Sequence, residues 1–262
     1  MAGTTLITEL LERRELIANF VSRNLKQRYK GSFFGFFWSL LHPLFLVLVY
    51  LVFIRLMRFE MDLPYLIVGV LVWQFFALAC GDAVGIIYGH STLVKKTYFP
   101  RIILPLAAVL GNLIHFLLSL VILLFFLFAF KLWPGIQYVH LLWLVALQFV
   151  FCLGMALLLS SLNVFYRDVE HLLQIVIMAW FFITPIIYPL SNIVDNPALP
   201  GFVLKLYFFN PLASLVQLYR QVFIGSPPPG VPLWPGLVVA IVIFLVGYAT
   251  FVKLEPRFAD EL

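Results

Sequence analysis

Six long apolar segments make up about half of the chain, and short polar stretches separate most of them. A helix needs about 20 apolar residues to cross the ~30 Å hydrocarbon core of a bilayer. Pro185, near the end of the fifth segment, is expected to bend or end that helix. The pattern predicts an all-α polytopic membrane protein. Its six transmembrane helices are predicted at residues 36–56, 65–88, 102–130, 139–163, 172–188 and 233–252.

Residues 10–31, before the first span, combine an apolar stripe with a cationic side. Apolar side chains recur at helical spacing at Ile17, Val21 and Leu25, and basic side chains fill the other positions. A helix with two such faces lies flat at a membrane surface. The sequence therefore predicts an N-terminal amphipathic interface helix on the cytoplasmic side. A soluble amphipathic helix and a plain cationic anchor are the alternatives.

The segment 190–231, before the last span, is too long for a tight turn and too apolar for a solvated loop. It contains two short apolar runs, 202–209 and 212–224, split by Asn210-Pro211. Each run is below spanning length. The sequence predicts a re-entrant helix pair that dips into the outer leaflet, shielded by protein or by a water-filled cavity.

A seventh full crossing is the rival interpretation of the same segment. It would send the C-terminus outside and place Lys253 and Arg257 on the side that basic residues avoid. It would also bury Lys205 or Arg220, at about 2.5–3.5 kcal/mol each on insertion scales. The re-entrant pair avoids these costs and is preferred.

Composition and charge agree with one membrane domain spanning residues 1–262. The chain is 63% hydrophobic and 11% charged, against about 25% charged residues in soluble domains. Of its 17 lysines and arginines, twelve fall in predicted cytoplasmic segments and five in outer ones. This asymmetry places both termini in the cytoplasm, and it explains the +5 charge without nucleic-acid binding. Cys80 and Cys152 lie in apolar stretches, so no disulfide is expected.

Residues with catalytic chemistry are scarce. The chain has no Gly-Lys pair and hence no phosphate-binding loop of the Walker type. Asp82, near the cytoplasmic end of the second span, is expected to cap a helix or to hydrogen-bond there. The cluster RDVEH at residues 167–171 fits charges at a helix end. It is also the one acidic and histidine set that a membrane transferase acting on lipid-linked sugars could use.

Two further cytoplasmic features stand out. The loop 90–101, HSTLVKKTYFPR, interleaves three positive charges with apolar and aromatic residues. It suits a plug for a groove on a partner protein, although a simple basic connector would satisfy the same topology. Five aromatic residues crowd positions 33–38 at the entrance to the first span. Their flat faces suit the C–H faces of sugar rings, whereas packing against lipid is the ordinary role of such residues.

Motifs along the whole chain resemble those of a known family. They are residues 25–32 (LKQRYKGS), Gly35, Trp38, Pro43, 95–100 (KKTYFP), Pro105, 163–168 (NVFYRD), 180–185 (WFFITP), Tyr188, Asn210-Pro211 and Tyr219-Arg220. In this order and spacing they resemble the membrane subunit of polysaccharide-exporting ABC transporters. That family includes the permeases for O-antigen, capsular polysaccharide and teichoic acid.

The resemblance implies a homodimer in the cytoplasmic (inner) membrane, with six spans in each subunit. Two copies of a separate ABC ATPase subunit would dock beneath it. ATP and magnesium would bind to that partner, so this chain would be no enzyme and would carry no cofactor. ATP would drive a lipid-linked glycan outward through a channel between the permease subunits. Gly31 would form the corner between the interface helix and the first span.

The resemblance also implies three groups of functional residues. Those that contact the ATPase would be Ser91, Leu93, Lys95, Lys96, Tyr98, Phe99 and Pro100. Those that hold the substrate pyrophosphate, or equally anionic lipid headgroups, would be Arg23, Lys26, Arg28 and Lys30. Those at the channel entrance would be Phe33, Phe37 and Trp38. An ABC permease for a lipid or drug is the alternative function, although such relatives commonly carry larger outer segments.

Overall fold

The computed structural model describes most of the chain. Described residues are 8, 12–32, 38–57, 62–97, 99–129, 131–133, 135–194, 200–227 and 230–262. The side chains of residues 27–29, 129, 203, 206 and ten positions between 39 and 57 lie outside that description. Every regular element within these ranges is helical. The all-α prediction is therefore confirmed for the described part of the chain.

Thirteen α-helices follow one another among the described residues. In chain order they are α1 Arg14–Tyr29, α2 Trp38–Met57, α3 Leu63–Val84, α4 Ile86–Gly89, α5 Ser91–Lys96, α6 Ile103–Ala129, α7 Leu141–Phe165, α8 Asp168–Ile183, α9 Ser191–Val194, α10 Gly201–Phe209, α11 Pro211–Ile224, α12 Trp234–Leu254 and α13 Phe258–Glu261. Two short 3₁₀ helices, Ile136–His140 and Glu255–Arg257, precede α7 and α13.

Four helices in the described residues are long and apolar enough to cross a membrane. They lie at Leu63–Val84, Ile103–Phe128, Ile136–Phe165 and Trp234–Glu261. Helix α8 has 16 residues, fewer than a straight crossing needs. It ends at Ile183, where the chain bends before Pro185, as the proline predicts. The RDVEH cluster opens this helix, with Asp168 and Glu170 in its first turn.

Helix α3 forms the centre of the bundle and packs against α6, α7 and α11. Its side chains are buried almost continuously from Leu66 to Phe76. The ring of Phe76 stacks on Phe151 of α7, with centroids 5.2 Å apart. Gln148 of α7 donates from Nε2 to the backbone oxygen of Val72, at 2.8 Å. Because an unpaired polar group is costly in an apolar core, this bond favours one register between α3 and α7.

Helices α7 and α12 cross with their backbones in direct contact at two glycines. A Cβ atom on Gly247 would collide with the backbone oxygen of Gly154. A Cβ atom on Gly154 would collide in turn with the Cα of Phe244. Small residues permit this close approach, which is a common basis of helix association in membranes. No larger side chain fits either position without moving the two helices apart.

The segment before the last span folds as two short helices, α10 and α11, that meet at Asn210-Pro211. Asn210 caps α11: its Oδ1 accepts hydrogen bonds from the backbone N–H groups of Leu212 and Ala213. Gly225 ends α11 in the left-handed conformation, with φ at 63°. Two short helices and a break thus lie where the sequence placed them, and their arrangement as a re-entrant pair stays a prediction. Their depth in a membrane stays a prediction.

Candidate functional site

Helix α1 docks against the loop at residues 90–101. The ring of Phe20 is buried and lies over Phe99, with centroids 6.2 Å apart and nearly parallel planes. It also meets the ring of His90 edge-on at 6.0 Å. Leu16, Ile17 and Val21 pack beside it on the bundle core. Protein therefore covers part of the apolar stripe of α1, and the Arg23 and Lys26 side chains of the same helix are exposed.

The C-terminal segment joins the same end of the bundle. The backbone N–H of Arg101 donates to Glu255 Oε1 at 3.0 Å, and its Nη1 donates to the Glu255 backbone oxygen at 2.7 Å. Phe258 is fully buried, and its ring meets Phe251 and Phe165. Helix α1, the loop 90–101 and residues 255–262 therefore form one continuous platform, called here the coupling platform. Helix α1 and the C-terminal residues 255–262 therefore lie at the same end of the bundle.

The described residues that are predicted to contact the ATPase lie on the coupling platform, and their side chains differ in how far they are exposed. Lys95 and Lys96, in the last turn of α5, are exposed. Ser91, Leu93 and Pro100 are half-buried. Phe99 is 8% exposed beneath Phe20, so its ring holds α1 in place and has little surface left for a partner. Tyr98 lies outside the described residues. Contact of these residues with an ATPase stays a prediction.

The other two predicted groups are described only in part. Arg23, Lys26 and Lys30 are exposed on and just after α1, and the side chain of Arg28 lies outside the description. Phe33 and Phe37 lie outside the described residues. Trp38 opens α2 and is 42% exposed. Gly31 has φ at 80°, a left-handed conformation after α1 that favours glycine, and its role as the corner before the first span stays a prediction.

A polar cavity of about 360 Å³ opens beside α1, between α3, α6 and the start of α8. We call it the interface cavity. Asn112 of α6 donates from Nδ2 to Asp82 Oδ2 at 2.7 Å, so the predicted hydrogen-bonding role of Asp82 is confirmed. Glu170 reaches the cavity from α8, and His90 and Asn24 line it from the loop and α1. Sequence patterns gave no sign of it because four separate segments contribute its walls.

The opposite end of the bundle is held by a buried arginine. Arg220 of α11 is fully buried. Its guanidinium donates to the backbone oxygens of Tyr65, Pro185 and Ile186, at 3.1, 2.6 and 2.8 Å. It also lies 3.4 Å from the centroid of the Tyr65 ring. Gly69 leaves room for it, because a Cβ there would come within 2.7 Å of Nη2.

Arg220 explains how α8 can end inside the bundle. Backbone oxygens in the bend that follows α8 need donors where water is absent, and the guanidinium supplies them at Pro185 and Ile186. The sequence counts Arg220 among the five outer cations, and the structure adds that its side chain is buried. The available signal was its position on the otherwise apolar helix 212–224.

Asn210 and two tyrosines add polar links around the same bend. Trp180 donates from Nε1 to Asn210 Oδ1 at 3.1 Å, and Asn210 donates from Nδ2 to Thr184 Oγ1 at 3.2 Å. The Tyr188 hydroxyl lies 3.0 Å from that of Tyr207 on α10. With Arg220, these links join α8, α10, α11 and the start of α3. We call this assembly the outer clasp.

Comparison with known proteins decides the family. A family model described as "ABC-2 type transporter" matches residues 15–224, well over half of the chain. The chain belongs to the ABC-2 type transporter family. The matched region runs from the coupling platform at α1 through the outer clasp at α11. Members of this family are the membrane subunits of ABC transporters, which agrees with the multi-pass helical fold.

Relatives in the ABC-2 family carry a more specific name. A Myxococcus xanthus protein named O-antigen export system permease protein RfbA is 34% identical over 261 residues, covering 98% of this chain and 99% of the relative. A Klebsiella pneumoniae protein of the same name is 31% identical over 252 residues, covering 95% of each chain. The similarity therefore runs over nearly the full length of both relatives.

Proposed function

We propose that the chain is the permease subunit of an ATP-driven exporter of a lipid-linked polysaccharide. The observation that carries the proposal is its near full-length similarity to two O-antigen export permeases. Membership of the ABC-2 family supports the role of a membrane subunit, and the relatives' names support a polysaccharide as the transported molecule. ATP and magnesium would bind to a separate ATPase subunit, and two permease subunits would enclose the channel.

The proposed topology has six crossings, with the coupling platform in the cytoplasm. Helices α2, α3, α6, α7 and α12 would cross, α8 with the residues after its bend would complete the sixth crossing, and α10 with α11 would form the re-entrant pair on the outer side. The meeting of α1 and residues 255–262 at one platform supports an even number of crossings between them. The basic residues concentrated in cytoplasmic segments support its orientation. In that orientation α1 would lie at the inner membrane surface.

The platform offers a direct route from an ATPase to the transmembrane helices. A partner bound at α5 would push on the loop 90–101. Phe99 would transmit that movement to α1 through Phe20, and Arg101 would transmit it to α12 through Glu255. The outer clasp would keep α8 attached to α10 and α11 at the far end. The exposed cations Arg23, Lys26 and Lys30, with Arg28, would attract the phosphates of substrate or lipid.

Reversing the charge of Lys95 and Lys96 is expected to detach the ATPase. The variant K95E/K96E places two negative charges on the exposed turn of α5, and loss of rim charges mainly weakens association. When the full chain is co-expressed with its ATPase subunit, we expect recovery of the ATPase on the tagged permease to fall about tenfold.

The matched control is Lys131→Glu. Lys131 is exposed beyond α6, at the end of the bundle away from the coupling platform, and this variant should retain the ATPase. Equal recovery of the ATPase by K95E/K96E and by the unaltered chain would contradict the proposed docking surface.

A further inference from the structure

A cation–π contact joins the start of α8 to the segment that leads into the loop 90–101. The guanidinium carbon of Arg167 lies 4.7 Å from the centroid of the Tyr88 ring. Tyr88 belongs to α4, and Arg167 directly precedes α8. A guanidinium within about 6 Å of the face of an aromatic ring is attracted by the negative charge of that face. The contact therefore holds the N-terminus of α8 against α4.

The backbone on each side of this contact is fixed by packing. Ile87, next to Tyr88, is fully buried, and α4 packs against α6 and α7. Leu173 of α8 is buried as well. A Cβ on Gly85 would lie 3.4 Å from Glu170 Oε2, so the first turn of α8 runs close to the junction of α3 and α4. The two partners are exposed side chains, but they stand on backbone that the bundle holds in place.

Helix α8 connects this contact to the outer clasp. Its 16 residues span about 24 Å. At the far end Trp180 donates to Asn210, and Arg220 binds the bend that follows the helix. The contacts of Phe99 and Arg101 lead from the loop 90–101 to α1 and to the end of α12. Neither of them reaches α8, whereas the Tyr88 ring does.

We propose that Arg167 is a positioning residue that couples the loop 90–101 to α8 through the Tyr88 ring. The proposal rests on the proposed function as an ATP-driven permease. A partner that displaces the loop moves Tyr88, and the attraction between ring and guanidinium moves the first turn of α8 with it. Helix α8 then carries the movement to the outer clasp. Without the contact, the ATPase still hydrolyses ATP, but less glycan moves for each ATP.

The ratio of glycan moved to ATP hydrolysed tests the proposal. Proteoliposomes would contain the full permease with its ATPase subunit and a fluorescent lipid-linked polysaccharide. Tyr88→Leu removes the ring, and Arg167→Gln removes the charge. We expect each variant to lower the ratio about threefold, the size of an exposed cation–π contact. A smaller amount of folded protein would lower transport and permease-dependent hydrolysis together, so a purely structural defect leaves the ratio unchanged.

Matched variants separate the contact from other effects of substitution. Tyr88→Phe keeps the aromatic face and should keep the ratio of the unaltered chain. Tyr166→Leu removes an exposed tyrosine directly beside Arg167 and should also keep it. The double variant Tyr88→Leu/Arg167→Gln should lower the ratio no further than either single variant, because both substitutions remove the same contact.

Three results would overturn the role of Arg167. They are an unchanged ratio in Tyr88→Leu, an equal loss in Tyr88→Phe, and an additive fall of about ninefold in the double variant. If Tyr88→Leu does not fold, Arg167→Gln decides alone. Normal transport by the unaltered chain with any of these results contradicts this proposal only. A lack of ATP-driven movement by the unaltered chain contradicts the proposed function, and the role of Arg167 with it.

Discussion

Replacing Arg220 with alanine is expected to destabilise the permease more than any other single loss of a charged side chain. The variant leaves three backbone oxygens, two of them buried and that of Tyr65 half-buried, without their guanidinium donors. Each unsatisfied buried acceptor costs about 1–3 kcal/mol. Allowing for partial relaxation, we expect a total loss of about 3 kcal/mol. On the scale of soluble domains this lowers the unfolding temperature by roughly 10 °C.

The measurement is the temperature at which the detergent-solubilised protein loses its monodisperse elution peak. Lys205→Ala is the matched control, because Lys205 is exposed on the neighbouring helix α10 and exposed substitutions change stability by about 0.5 kcal/mol or less. Arg220→Lys keeps the charge but lacks the planar fork, so we expect it to recover only part of the loss. Equal stability of Arg220→Ala and Lys205→Ala would contradict the role of the outer clasp.

Adding one methyl group at the crossing of α7 and α12 is expected to have a comparable effect. Gly247→Ala forces a Cβ into the backbone oxygen of Gly154, and backbone cannot move aside as a flexible side chain can. Overpacking of this kind costs about 3 kcal/mol, which again corresponds to a fall of roughly 10 °C. The same thermal elution assay measures it.

Gly111→Ala provides the control for the glycine substitution. Gly111 lies within α6, and a Cβ there meets nothing within 4 Å. Alanine is also the better helix former by about 1 kcal/mol, so this variant should be as stable as the unaltered chain or slightly more stable. If Gly247→Ala behaves like Gly111→Ala, the close crossing of α7 and α12 is wrong.

The helices of this fold could be predicted from the sequence because they follow from local patterns. Apolar runs of spanning length predicted helices α3, α6, α7 and α12, with boundaries within a few residues of those in the structure. Pro185 and Asn210-Pro211 predicted two helix breaks, since proline restricts the backbone conformation of itself and of the residue before it. The amphipathic pattern of residues 10–31 gave α1. These signals do not depend on which segments become neighbours.

The contacts between helices could not be predicted in the same way. Arg220 and Tyr65 are 155 positions apart, and nothing local shows that the arginine meets free carbonyl oxygens. Phe99 was expected at a partner surface, yet its ring is covered by Phe20. The interface cavity draws on four segments. Each of these features depends on tertiary packing. The amino-acid sequence alone shows which residues are apolar or charged but not which of them become neighbours.

Transport in a reconstituted system tests the proposed function most directly. The permease and its ATPase subunit would be placed in proteoliposomes, with a fluorescent lipid-linked polysaccharide on the side of the ATPase. We predict that the glycan moves to the opposite leaflet only when both subunits and hydrolysable ATP are present. Movement of the glycan without the ATPase, or ATP-driven movement of a simple lipid or dye in place of the glycan, would contradict the proposed function.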